Sequence, residues 1–193
     1  SISGGELIFS NGAGIYAEGV DGQYNTTAAD MNITAGNITV KDGSEITLVG
    51  KADMNIGGNA NITMDYTEET PDHEHDGGIL HEGQSGNLNI SGGVINLTGE
   101  VAKIERGGYD GDWFYNSETG ETMGENDGIK PAPEGADTDN YHISTGDINI
   151  SGGEIALNDG ARISTTYKNT GDINISGGKI TLNTSNIENN AAQ

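Results

Sequence analysis

Histidines and acids crowd into one short stretch, Asp72-His73-Glu74-His75-Asp76, with His81 and Glu82 just beyond it. His73 and His75 at two-residue spacing, together with His81, could offer three imidazoles and a carboxylate to zinc or another borderline metal. His142 could complete the set from a distance. The alternative is a solvated acidic tip, because structural zinc sites show firmer ligand spacing. Hard oxygen ligands suited to calcium lie elsewhere, at Asp110, Asp112, Glu125 and Asp127 in Gly-rich stretches. Neither YDGDWF nor GENDG has the EF-hand alternation of acids with Gly at the sixth place and Glu at the twelfth. No cofactor is assigned on this basis; calcium is favoured over zinc.

Five of the ten aromatic residues fall between Tyr109 and Tyr141: Tyr109, Trp113, Phe114, Tyr115 and Tyr141. Such a cluster either forms a small satellite core or presents rings to a sugar or a protein partner. Pro131 and Pro133 make the segment that follows stiff and extended. Catalysis finds little footing. An enzyme acting on acidic polysaccharide needs basic side chains, and arginine is limited to Arg106 and Arg162 with scattered Lys. Paired carboxylates could be assembled from Asp110 and Asp112, but an Asp-Gly-Asp loop is ordinarily just solvated. No Ser-His-Asp arrangement or phosphate loop stands out. The expectation is a protein that is not an enzyme.

What must position these residues is a repeat. GDINISGG at Gly146–Gly153 returns at Gly171–Gly178, and weaker copies anchor on Ile2, Ile33, Ile56 and Ile90 in addition to Ile150 and Ile175. Ile33 and Ile56 are 23 residues apart, and Ile150 and Ile175 are 25 apart, a length that suits one turn of a solenoid. Apolar residues alternate with polar ones, as in Ile148, Ile150, Ile155 and Leu157, which means strand. Three short strands per copy, joined by tight turns, predict a single-stranded parallel β-helix of about six coils. Stacking at about 4.8 Å would set each Ile on the Ile beneath and pair the backbone between coils. Glycine pairs mark the corners. The copy from Ile56 to Ile62 is one residue longer, which predicts a bulge at Asn59-Ala60. Asn32, Asn55, Asn89, Asn149 and Asn174 recur between the anchoring apolar positions and predict an outward amide ladder.

The wider spacings contain insertions, at about residues 65–85 and 107–145. Ile79 and Leu80 are expected to supply the third strand of the interrupted copy. The formal net charge is −22, from 30 acidic and 8 basic residues, and the insertions hold much of it. Nucleic acid and anionic membrane surfaces are therefore poor partners, and no apolar run approaches the roughly 20 residues of a membrane span. The chain has no cysteine, which excludes disulfides and thiolate metal sites. Residues 1–193 read as one elongated domain, since the repeat runs throughout. SISGGELIF enters in mid-copy and the last copy runs into Asn-Asn-Ala-Ala-Gln without a capping helix. Solenoids need polar caps, so the expectation is a segment of something longer, or a unit whose ends are covered by a neighbour.

The sequences GDINISGGEIALNDGARIST and GDINISGGKITLNTSNIENN resemble passenger repeats of large bacterial surface exoproteins, namely the filamentous haemagglutinin-like proteins of two-partner secretion and the β-helical autotransporter adhesins. The resemblance implies a right-handed parallel β-helix, secreted or displayed on the bacterial cell surface, in which insertions between strands do the recognising. It does not extend to a secretion domain or a C-terminal barrel. The functional expectation is a non-catalytic adhesin-like stalk. Its partners would be a host or neighbouring-cell glycan or protein, and its ligand-binding candidates are Tyr109, Trp113, Phe114 and Tyr115. Two alternatives stand beside it: a subunit that self-assembles end to end into an extracellular filament or surface layer, and a polysaccharide-active enzyme.

Overall fold

The computed structural model describes residues 1–18, 28–41, 43–66, 77–83, 85–107, 113–116, 121–125, 134, 144–166 and 169–190. These form strands and no helix. The first three copies supply β1 (Ile2–Phe9), β2 (Gly14–Glu18), β3 (Met31–Lys41), β4 (Glu45–Val49), β5 (Met54–Asp65) and β6 (Gly78–Glu82). The fourth supplies β7 (Leu88–Thr98) and β8 (Lys103–Gly107), followed by a pair, β9 (Trp113–Asn116) and β10 (Glu121–Glu125). The last two supply β11 (Ile148–Asn158), β12 (Arg162–Thr165), β13 (Ile173–Ile175), β14 (Lys179–Asn183) and β15 (Asn186–Asn189).

Two parallel sheets result. One has seven strands in the order β1-β3-β5-β7-β11-β13, with β14 also paired to β11; the other has six, in the order β2-β4-β6-β8-β12-β15. The chain alternates between them, so neighbours in either sheet come from successive copies, an arrangement compatible with a β-helix-like fold. Register follows the repeat. Ile2, Ile33, Ile56, Ile90, Ile150 and Ile175 are partners in unbroken succession across the first sheet. Ile15, Ile46, Ile79, Ile104, Ile163 and Ile187 form the matching row in the second, with Ile79 standing on β6 as expected. In the middle copies these isoleucines are fully buried, and both rows belong to one hydrophobic core. Burying a side chain of this size stabilises by about 1.5–3 kcal/mol, so the two rows supply the main apolar driving force.

Two expectations need correction. The first two short strands of a copy are not separate: in β3, β5, β7 and β11 they run on as one strand, irregular at the glycine pair or, in β3, at Ala35-Gly36. The irregularity shifts the register without ending the ladder. Glycine makes this continuity cheap, since Gly93 and Gly153 hold φ of 85° and 86°, where a side chain would be strained. Only the last copy separates the two halves, as β13 and β14. The extra residue of β5 also falls earlier than expected. Ile33 pairs with Ile56, but Ala35 already pairs with Asn59, so the bulge lies at Gly57-Gly58.

Outside the apolar rows, two columns of polar side chains tie the levels together. Asn55 Nδ2 donates to Asn32 Oδ1 (3.1 Å), Asn89 to Asn55 (2.9 Å), Asn149 to Asn89 (3.0 Å) and Asn174 to Asn149 (3.1 Å). This is the amide ladder expected from the repeat. The second column, two residues earlier in each copy, was not anticipated. Asp30 Oδ1 accepts from the Asp53 N–H (3.1 Å), Asp53 from Asn87 (2.8 Å), Asn87 from Asp147 (2.9 Å) and Asp147 from Asp172 (2.9 Å). Asn87, in the middle, interrupts what would otherwise be five stacked carboxylates while keeping the same acceptor.

Truncating a middle rung should show what the ladder contributes. Asn89→Ala removes one donated and one accepted bond, each worth about 1 kcal/mol net, so urea unfolding should give a loss on the order of 1–2 kcal/mol. Asn174→Ala, which removes only the bond donated to Asn149, should cost less.

Candidate functional site

Of the residues singled out by type, the structure describes His81, Trp113, Phe114, Tyr115 and Glu125. His73, His75, Tyr109, Asp110, Asp112, Asp127, Tyr141 and His142 lie outside the described residues. Trp113, Phe114 and Tyr115 fall on β9, whose backbone pairs antiparallel with β10: Tyr115 opposite Thr122, Phe114 opposite Gly124 and Trp113 opposite Glu125. His81 is on β6, not in a loop. Its register partners are Leu48 on β4 and Arg106 on β8, and its side chain is fully buried. Among the described residues, no three His, Asp or Glu side chains are grouped to hold a metal ion.

Instead, the described geometry brings together His81, Arg106 and Asn169, all fully buried. Strand alternation explains the first two: Ile79 and His81 share one face of β6, as Ile104 and Arg106 share one face of β8. The guanidinium sits under the turn that leads from β6 to β7. Nε donates to Gly86 O (3.0 Å), Nη2 to Gly83 O (3.0 Å), and Nη1 to both His81 O (3.1 Å) and Gly107 O (2.6 Å). Burial lowers the Arg106 pKa to about 10, partly offset by the negative charges of Glu82, Asp147 and Asp53. It remains a cation at neutral pH, its charge spread over carbonyl dipoles.

His81 is the opposite case. Burial first, and then the positive charge of Arg106, push its pKa down to about 3. The neutral ring lies with Nε2 2.7 Å from Ala52 O. A carbonyl only accepts, so Nε2 carries the proton and Nδ1 is left with a lone pair that has no partner among the described residues. Such a histidine neither takes up a proton near neutral pH nor offers a free face to solvent.

Asn169 completes the cluster. Its Nδ2 donates to Arg106 O (3.2 Å) and Gly146 O (2.9 Å), and its Oδ1 accepts from the Gly171 N–H (2.8 Å). Chemically, the group positions main chain: every contact described for Arg106 and Asn169 ends on a backbone atom. A second ionic cluster joins Lys103 Nζ to Glu105 (3.0 Å), whose other oxygen accepts from Ser164 Oγ (3.1 Å). It bridges adjacent strands of the second sheet. Sequence reading weighed Arg106 only as one of two arginines and did not single out Asn169, although a signal was available. Ile104 and Arg106 stand two apart at the end of a strand, and Asn169-Thr170-Gly171-Asp172 repeats Ser144-Thr145-Gly146-Asp147.

Comparison of the chain with protein-family models, with curated proteins and with solved structures finds no match.

The buried histidine makes a measurable claim. The unfolded chain takes up a proton on His81 near pH 6.5 and the folded chain does not until about 3. The stability owed to this group is therefore complete above pH 6.5 and declines as pH falls toward 3, by an amount on the order of a few kcal/mol. His81→Leu copies the neighbour Leu48 and removes the titration. Urea midpoints measured from pH 8 to pH 4 should fall less steeply for the variant than for the parent; parallel curves would show that His81 takes no part.

Proposed function

We propose that this chain is a right-handed parallel β-helix solenoid of about six coils that acts as a non-catalytic stalk or display scaffold, secreted or at a bacterial cell surface. Recognition then falls to the excursion at about residues 107–145 and to the part of the first one, at about residues 65–85, that precedes β6. The observation that carries this reading is where the ordered polar side chains are directed. Arg106, Asn169, the Asn column and the Asp/Asn column all donate to or accept from the chain's own levels, which is how a scaffold uses such groups and not how a reaction centre does. The likeness of GDINISGG and its copies to exoprotein passenger repeats supports the same reading by analogy of pattern.

Charge defines the partner class further. Residues 107–145 carry nine acids against one Lys130, so the surface they meet should be neutral or cationic, such as a glycan or a basic protein patch. Tyr109, Trp113, Phe114 and Tyr115 stay the candidate contact residues within that excursion, with bound calcium a candidate support for it.

Arrays of glycans and matrix proteins, probed with the purified chain with and without EDTA, test this. Binding to at least one class, lost when residues 107–145 are replaced, is the expected result. No binding to any surface, combined with concentration-dependent polymerisation in sedimentation, would replace this reading with a self-assembling filament subunit. Release of oligosaccharide from a bound polymer would instead make the chain an enzyme.

A further inference from the structure

The second excursion leaves the sheets at Gly107 and returns at Ser144, and a single side chain touches both roots. Asn169 donates to Arg106 O on the outgoing side (3.2 Å) and to Gly146 O on the returning side (2.9 Å). Its oxygen accepts from the Gly171 N–H (2.8 Å), so both amide donors and one of the two lone pairs are used at the neck. Arg106 closes the neck from below, through Gly107 O (2.6 Å), Gly83 O (3.0 Å) and Gly86 O (3.0 Å). Gly146 lies flat against it: a Cβ there would stand 2.4 Å from Arg106 Nε and 1.8 Å from Gly86 O. The returning backbone approaches closely enough that only glycine fits.

The level above shows what the same place looks like without an excursion. The Thr166 N–H donates to Arg106 O (3.2 Å), Ser144 and Asn169 form a parallel bridge, and the Thr170 N–H donates to Ser144 O (2.9 Å). The roots at Gly107 and Ser144 therefore stand beneath Thr166 and Asn169. Those two residues close a tight turn, the Asn169 N–H donating to Thr166 O (3.0 Å), and only Tyr167 and Lys168 connect them. One level apart, two residues and residues 108–143 bridge equivalent positions.

We infer that residues 108–143 occupy the site of a two-residue turn, and that Arg106 and Asn169 form a buried clasp that holds its neck shut, making the excursion an exchangeable segment. The cost of closing a loop rises only slowly with its length, so a few satisfied buried bonds at the neck suffice to carry a long one. The clasp works in this way whether or not the excursion binds a partner.

The direct test replaces residues 108–143 by Tyr-Lys in the otherwise complete chain. A cooperative thermal transition with an unlowered midpoint is expected; loss of the transition would show that the excursion is part of the core and overturn the inference. Asn169→Ala in the full chain supplies a second measurement, read by hydrogen exchange. Exchange at Gly107 and at residues 144–147 should speed up roughly tenfold, the effect of one or two lost buried bonds, while β5 and β7 keep their protection. The same substitution in the shortened chain should have a smaller effect, since two covalent residues then hold the roots together. Unchanged exchange at the neck, or equal acceleration throughout both sheets, would sink the clasp.

Discussion

Each level of this chain depends on the one beneath it to satisfy its backbone and to cover its isoleucines. A single copy has too few large apolar residues to form a core, and its strands have no partners within the copy. Parallel pairing between copies solves both problems at once, because keeping Ile on Ile also brings each N–H to a carbonyl. The constraint is strict: a slip of one residue would turn the isoleucines outward and the asparagines inward along a whole strand. The unbroken register partners from Ile2 to Ile175 and from Ile15 to Ile187 are the result.

Polar columns reinforce that register from outside. A side-chain oxygen of one copy accepts from the next copy's amide at the Asn positions and from its backbone N–H at the Asp/Asn positions. Neither bond forms unless the copies are level. The apolar rows supply most of the stabilisation, and the columns make the alternative registers costly.

Much of this was legible because repetition amplifies weak signals. Ile alternation in one copy would fit many strands, but the same alternation at near-constant spacing identified the anchors, the Asn ladder and the strand at Ile79. The continuity of β3, β5, β7 and β11 was not legible, since Gly-Gly is written the same way whether it ends a strand or bends one. Arg106 was harder to place for a different reason: arginine is usually a surface residue, and two of the four carbonyls that make its burial tolerable, Gly83 O and Gly86 O, come from the connection between β6 and β7. His81 was misleading in the same way. The acidic DHEHD stretch lies just upstream of it in sequence, whereas its neighbours in space are Leu48 on one side and Arg106 on the other. The excursions themselves were evident as breaks in spacing and concentrations of charge, and the residues that fasten the second were not.

The amide column also has a direction. In all four of its bonds the later copy is the donor and the earlier one the acceptor, and the backbone bonds of the neighbouring column run the same way. A copy inverted along the axis would no longer present its backbone N–H to the side-chain oxygen beneath it, but one inserted in the original orientation finds a donor and an acceptor already waiting. Tandem duplication is thus a change this architecture absorbs without rewriting its neighbours, and the identity of GDINISGG in the last two copies is the kind of trace such a history would leave.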